Sequence, residues 1–418
     1  MNALDATIAE VFRREHGRII ATLIRVCGSF ELAEEAMQEA FASALLDWRD
    51  NGVPRSPGAW ITTTARNKLV DVLRRDRTRK REQDAVGYEI ELRASEDDMS
   101  DFDAEHHGDD RLRLIFTCCH PALNREAQIA LTLRTLGGLT TTAIARAFLL
   151  PEPTLAQRLV RAQRKIKTAK IPYQVPSTDA LPERLASVRS VLYLIFNEGY
   201  VATQSTELVS GELCTEAIRL TRMLCELLPN DPESLGLLAL MLLHDSRRNA
   251  RVDANGDLVT LDEQDRSMWD RAMIIEGAGL VETALLLGQP GPYQLQAAIA
   301  AVHAEAVTAA ETDWPQIAAL YAELEKSQPT PIVALNRAVA VGMSEGPAQG
   351  LALLEQLHRH QQLDGYYLYH AARADVLRRL ELNDRALEAY RAAIALTTNA
   401  AERRFLEKRI ASLATRNT

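Results

Sequence analysis

Between Thr154 and Lys167 the chain repeats residue types that can read nucleic acid. Gln157, Arg158, Arg161, Arg164, Lys165 and Lys167 fall on one side of a helical wheel, with Thr154 near its start. Leu155, Leu159, Ala162 and Ile166 repeat at i, i+4, i+7 and i+11 on the other side. That spacing marks a buried stripe behind a polar face. A guanidinium fork fits the O6 and N7 edge of guanine, a glutamine amide fits adenine, and the remaining cations meet phosphates. The chemistry is recognition, not bond-making. The ordinary alternative is a helical hairpin with a solvated basic face, and the segments that precede it weigh further toward nucleic acid.

The face sits in a stretch reading LTTTAIARAFLLPEPTLAQRLVRAQRKIKTAK, Leu139 to Lys170. Thr140 or Thr141 suits the N-cap of a short first helix, because a hydroxyl there accepts an orphan backbone N–H. Ile144, Ala147 and Phe148 give that helix an apolar side. Pro151 and Pro153 interrupt it, and proline is tolerated in a first helical turn, so the spacing predicts a second helix from near Pro153. Two short helices and a tight turn form a helix-turn-helix, whose second helix enters the major groove.

Two helices nearer the N-terminus carry further candidates, after a first amphipathic helix over residues 4–26. The helix from about Phe30 to Trp48 has a continuous apolar stripe through Ala33, Ala36, Met37, Ala40, Phe41, Ala44, Leu45 and Trp48. Glu31, Glu34, Glu35, Gln38, Glu39 and Asp47 lie largely elsewhere and make an acidic surface, the ordinary reading of which is a solvated face. Ser56-Pro57 then opens another helix, with Ser as N-cap and Pro at its first position. Its core side is Ile61, Ala65, Leu69 and Val72. Thr62, Thr63, Arg66, Asn67, Arg74 and Arg75 lie on the other side, with Trp60 near the start. Cations, hydroxyls and an aromatic suit a nucleic-acid backbone and unstacked bases, although Trp60 equally suits the core.

Bulk composition sets the frame. The 418 residues are 47% hydrophobic, 25% charged and only 5% aromatic, rich in Ala and Leu, which favours a mainly helical protein. The net charge of −9 argues against nucleic acid only as an average. Residues 82–110 are strongly acidic with few large apolar residues and read as a flexible tether between two basic modules. The N-terminus has no secretory pattern, and no apolar run is long enough to cross a bilayer. Five irregularly spaced cysteines suggest reduced thiols in the cytoplasm. Cys118, Cys119 and His120 lack the spacing and the second ligand pair of a zinc knuckle, so buried cysteines are expected and no metal. Neither a nucleophile elbow nor a phosphate loop points to an enzyme, and no cofactor is implied.

Residues 171–182, IPYQVPSTDALP, form a proline-rich boundary. Beyond it RLASVRSVLYLIFNEGY predicts a helix ending at a C-cap Gly199, near Asn197, Glu198 and Tyr200. A helical pair with a Pro-Asn-Asp-Pro turn follows. RVDANGDLVTL then predicts a small β-hairpin about Asn255-Gly256. Asp253, Asn255 and Asp257 alternate like calcium ligands, but the glycine is misplaced for an EF-hand. Segments starting at Trp314, Pro347 and Asp384 align as a weak repeat, and ARADVLRRLELNDRALEAYRAAIAL fits the paired helices of a tetratricopeptide. Such solenoids usually bind protein or peptide.

With AEEAMQEAFASALLDW, PGAWITTTARNKLVDVLRR and AQRLVRAQRKIK in this order, residues 1–170 resemble an extracytoplasmic-function sigma factor of bacterial RNA polymerase. FTCCHPAL, LYLIFNEGY, GPYQLQAAIAA and the terminal repeats extend the likeness to the subgroup with a tetratricopeptide-like extension. The resemblance implies an all-α chain: a sigma domain 2 bundle (1–81), an acidic linker (82–110), a sigma domain 4 helix-turn-helix (111–170), a proline-rich linker (171–182) and a helical regulatory extension (183–418). It implies that Glu34, Glu35, Gln38, Glu39 and Phe41 dock on the β′ clamp helices of core polymerase. The helix from Trp60 to Arg75 would hold the minus-ten strand, and Thr154, Gln157, Arg158, Arg161, Arg164 and Lys165 the minus-thirty-five element, with the β flap as a further polymerase contact. The partners implied are polymerase, promoter DNA and a protein or peptide on the extension, with no membrane. A conventional helix-turn-helix regulator with a sensor or scaffold domain is the rival; it needs neither the acidic helix nor the N-terminal basic one.

Overall fold

A computed structural model shows an all-α chain and describes residues 3–83, 107–148, 150–202, 209–253, 257–359, 363–397 and 400–414. Among these residues the only strand-like pairing is one antiparallel bridge, Val252 to Leu258. The chain divides into two compact units, Met1–Glu198 and Gly199–Thr418.

The first unit starts with α1 (Ala3–Cys27), α2 (Phe30–Asn51) and α3 (Pro57–Gln83). Ser29 caps α2 through its hydroxyl, which accepts from the Leu32 N–H at 3.4 Å. Ala33, Ala36, Ala40 and Ala44 are fully buried and let α2 approach Ile19, Ile20 and Leu23 of α1 and Ile61, Ala65 and Leu69 of α3. Leu45, expected in the stripe, is 46% exposed, because it lies on the shoulder beyond the alanine seam.

The unit continues with α4 (His107–Cys118), α5 (Arg125–Thr135), α6 (Thr141–Ala147), α7 (Glu152–Thr168) and most of α8 (Leu181–Ala202), whose last residues, from Gly199, fall in the second unit. Of the acidic linker expected over 82–110, residues 84–106 lie outside the described residues, and from His107 the chain is helical. Asp110 is already helical and wholly buried, its carboxylate held by Arg25 at 2.9 Å and Arg113 at 3.0 Å. A buried carboxylate needs such pairing, and here the pairing joins α4 to α1. The Tyr173 hydroxyl donates to the Ala21 carbonyl at 2.8 Å, a second tie to α1. Helix α8 runs through Gly199, which is buried and does not end the helix.

The turn between α5 and α6 also rests on α1. Gly138 has φ +70, and a Cβ there would lie 2.9 Å from the Phe12 ring and 3.0 Å from that of His16. Gly138→Val should therefore destabilise the first unit by about 2–3 kcal/mol, from a disfavoured backbone and overpacking together. A lower urea midpoint at unchanged slope would show it.

In the second unit, α9 (Val209–Leu227) and α10 (Pro232–Asp245) lead to α11 (Arg271–Leu286) and α12 (Pro292–Glu305). Helix α10 is central: residues 234–243 are all buried, and α9, α11 and α12 pack around it. Then α13 (Trp314–Ser327), α14 (Pro331–Ser344), α15 (Pro347–Arg359), α16 (Tyr367–Arg379), α17 (Asn383–Leu396) and α18 (Ala400–Ala414) follow, each packed on its chain neighbour. The excursion between α10 and α11 holds the expected hairpin only as its single bridge, and the tip at residues 254–256 lies outside the described residues. The Asp257 carboxylate there meets Arg404 and Lys408 of α18, each at 2.6 Å.

Candidate nucleic-acid interface

Helices α6 and α7 form the expected pair. The Thr140 hydroxyl caps α6, accepting from the Ala143 N–H at 3.1 Å. Pro151 stands at the N-cap of α7, and Pro153 sits in the first turn. Leu155, Leu159, Ala162 and Ile166 are all buried, against the rest of the α4–α7 half. This places Thr154, Gln157, Arg161, Arg164 and Lys165 in the open, with Arg158 half-buried and its guanidinium 4.0 Å from Glu126. Gln157, Arg158, Arg161 and Lys165 face Asn124 and Glu126 across a cleft of about 480 Å³. Val160, not anticipated as a site residue, is 62% exposed beside Gln157 and Arg164. An apolar group there can meet a thymine methyl.

Helix α3 presents a second set. Thr63, Asn67 and Arg74 are exposed and recur within one stripe, with Trp60 at its head. Trp60 is half-buried, edge-on to Trp48 at a ring separation of 5.5 Å, and so largely supports the core. Thr62 is turned inward: its hydroxyl donates to the Gly58 carbonyl at 2.8 Å. Arg66 is half-buried, and the Arg75 side chain lies outside the described residues. Sequence reading passed over the cations that meet at the start of α3, where Arg14, Arg18, Arg55 and Arg111 line a cleft of about 520 Å³ with Glu15 among them.

On α2, Glu35 and Gln38 are exposed. The Glu39 carboxylate lies 3.9 Å from Lys68. Glu34 is bound by Arg134 of α5 at 3.1 Å, a pair that links the two halves of the unit. Phe41 does not reach the surface: it is 8% exposed and meets the Phe12 ring edge-on at 5.0 Å, so it can support the acidic face but not touch a partner. Leu46, which the sequence reading did not single out, is 70% exposed on α2.

Cys118 and Cys119 are buried. Burial pushes the Cys119 thiol up to about 11 and Cys118 well above the usual range. Thiolates are the reactive form, so neither should be alkylated by iodoacetamide in the folded protein, and mass spectrometry before and after denaturation checks this. Among the described residues no three His, Cys, Asp or Glu stand together as a metal-ligand set. Among them, too, no helix is long and apolar enough to cross a membrane.

Comparison with known proteins bears on these surfaces. Residues 11–79, which include α2 and most of α3, match the model of Sigma-70 region 2. Residues 184–285 match a family of unknown function, DUF6596. The chain is 45% identical over 398 residues to Uncharacterized protein R00370 of Rhizobium meliloti (strain 1021), covering 94% of this chain and 93% of that one. No solved structure matches.

Proposed function

We propose, for a chain that belongs to one family with its Rhizobium meliloti relative and carries a sigma-70 region 2, that it is an extracytoplasmic-function sigma factor of the type with a helical C-terminal extension. The sigma-70 region 2 match carries the reading: proteins of that family initiate transcription with RNA polymerase and are not enzymes. The exposed cations of α7 support it, since region 2 alone does not account for a second basic recognition helix.

In this reading α2 docks on the polymerase clamp through Glu35 and Gln38, with Glu34 and Glu39 beside them and Phe41 holding the helix from within. The α3 stripe of Thr63, Asn67 and Arg74 grips the minus-ten strand, and α7 reads the minus-thirty-five element. Capture of flipped bases and backbone charge drives melting, and the polymerase performs the chemistry. The protein acts where the polymerase is, in the cytoplasm. Residues 183–418 regulate when the promoter-reading helices engage, by a tetratricopeptide-like contact with a protein or peptide.

Run-off transcription with purified core polymerase on a pool of promoter-length DNAs tests this. New start sites that depend on the protein are expected. DNA binding without initiation would instead identify a conventional regulator. Full activity from residues 1–180 under every condition would remove the regulatory role of the extension.

A further inference from the structure

The second unit holds a half-open cavity of about 280 Å³ that none of the surfaces above uses. Trp314 of α13, Met343 of α14, Arg379 of α16, Tyr390 of α17 and Phe405 of α18 converge on it. The excursion between α10 and α11 adds Thr260, Leu261 and Arg266. That excursion is tied to α18 by the Asp257 pairs at 2.6 Å and by Glu263 to Arg409 at 2.8 Å. Walls on this many sides suit a compact molecule more than an extended peptide, and the size is near the lower end of ligand pockets, about 300 Å³.

The lining is divided in character. Trp314, Tyr390 and Phe405 supply aromatic surface, and Val339, Met343 and Ala371 aliphatic surface. The charged lining is Arg266, Arg379 and Arg409 with the carboxylates of Asp262 and Asp375. Arg379 shares Asp375, at 2.7 Å, with Arg378, and Arg409 pairs with Glu263 at 2.8 Å. Arg266 differs. It is only 8% exposed, and among the described residues no carboxylate lies within ion-pair distance of it. It donates to the carbonyls of His303 and Ala306 at 2.7 and 2.6 Å and to the Thr312 hydroxyl at 3.3 Å, all neutral oxygens. Those bonds cap the end of α12 but leave the Arg266 Nε without a partner. The Nδ1 of His303, on the same cavity, is also buried and unpartnered. Burial draws the His303 pKa down to about 4, so the ring is neutral. Glu311 acts on the Arg266 guanidinium only from beyond ion-pair distance, and the Trp269 ring centroid lies 4.9 Å from its Cζ. A buried guanidinium whose charge is so incompletely answered is costly, and its planar fork matches a carboxylate.

We propose that this chamber is a binding site for a small organic carboxylate, its apolar or aromatic body against Trp314, Tyr390 and Phe405 and its charge answering Arg266. None of its lining residues belongs to α2, α3 or α7. It stands whether or not the sigma-factor reading does.

Isothermal titration of the full chain with indole-3-acetate, phenylacetate and hexanoate, each beside its neutral amide, tests the proposal. At least one acid should saturate one site with Kd below about 1 mM, and its amide should bind about tenfold more weakly or worse. Arg266→Met should lose about tenfold in affinity for the acid and little for the amide. Because that change also removes the α12 cap, Ala371→Phe provides a second arm: it fills the chamber from α16 without touching Arg266. It should abolish binding while circular dichroism is unchanged. Failure of all three acids to saturate by about 10 mM, equal binding of acid and amide, or binding that survives Ala371→Phe would each overturn the assignment.

Discussion

Replacing Glu35 with lysine should lower polymerase-dependent initiation by about 30–150-fold, equivalent to about 2–3 kcal/mol. Glu35 is exposed on α2, in the middle of the acidic face. Reversing its charge opposite a basic partner places like charges together, which costs several kcal/mol at an interface. The neighbouring acids are poorer tests. Glu34→Lys would also break the bond to Arg134, and Glu39→Lys would face Lys68, so a loss of activity could come from the fold. The measurement is run-off yield together with polymerase binding by fluorescence anisotropy, at two salt concentrations. Both should fall, and the defect should grow as salt is lowered, because repulsion is then less screened. Unchanged polymerase binding would remove α2 as the docking helix.

Arg161→Ala should weaken binding to minus-thirty-five DNA by about 1–3 kcal/mol, or roughly 5–150-fold. Arg161 is exposed on the cleft side of α7, next to Gln157 and Lys165. Arg158 is a less clean choice, since its guanidinium already lies near Glu126. The pattern of loss separates two roles. If Arg161 reads a guanine edge, discrimination at one position relaxes. If it meets a phosphate, affinity falls uniformly and the slope of log K against log salt drops by about 1. Binding to a set of single-base variants distinguishes them. No loss on any sequence would exclude α7 as the reading helix.

Helix α7 was legible from residue order because its signals are local: two prolines set its start, and a strict apolar period sets its inner face. The four stripe residues are buried as that period requires. The acidic face of α2 was legible for the same reason, but the role of Phe41 was not. Phe12 and Phe41 meet only after α1 and α2 have packed, and nothing in the helical period of α2 tells a shoulder residue that turns inward from one such as Leu45 that turns out. The Glu34–Arg134 pair joins residues 100 apart in the chain and left no sequence signal. Gly199 misled in the opposite way: a glycine after a helical run usually ends it, yet here α8 continues to Ala202. The cavity of the second unit was invisible, because its walls come from many helices and its defining feature is a buried guanidinium bonded to neutral oxygens.

The ties between the α10–α11 excursion and α18 bear on how the second unit folds. An array in which each helix pair touches only its neighbours can nucleate anywhere and fray from its free end. Here Asp257 and Glu263 reach residues 146 to 151 positions further along, so the last helix is not a free end. Contacts of such long range form late and slow the approach to the native state. They also make the array unzip less from its end and lose structure more as one body. Because the ties are ion pairs near the surface, that cooperativity is itself salt-dependent. Amide hydrogen exchange in α18 should approach that of α10 at low ionic strength and separate from it as salt is added.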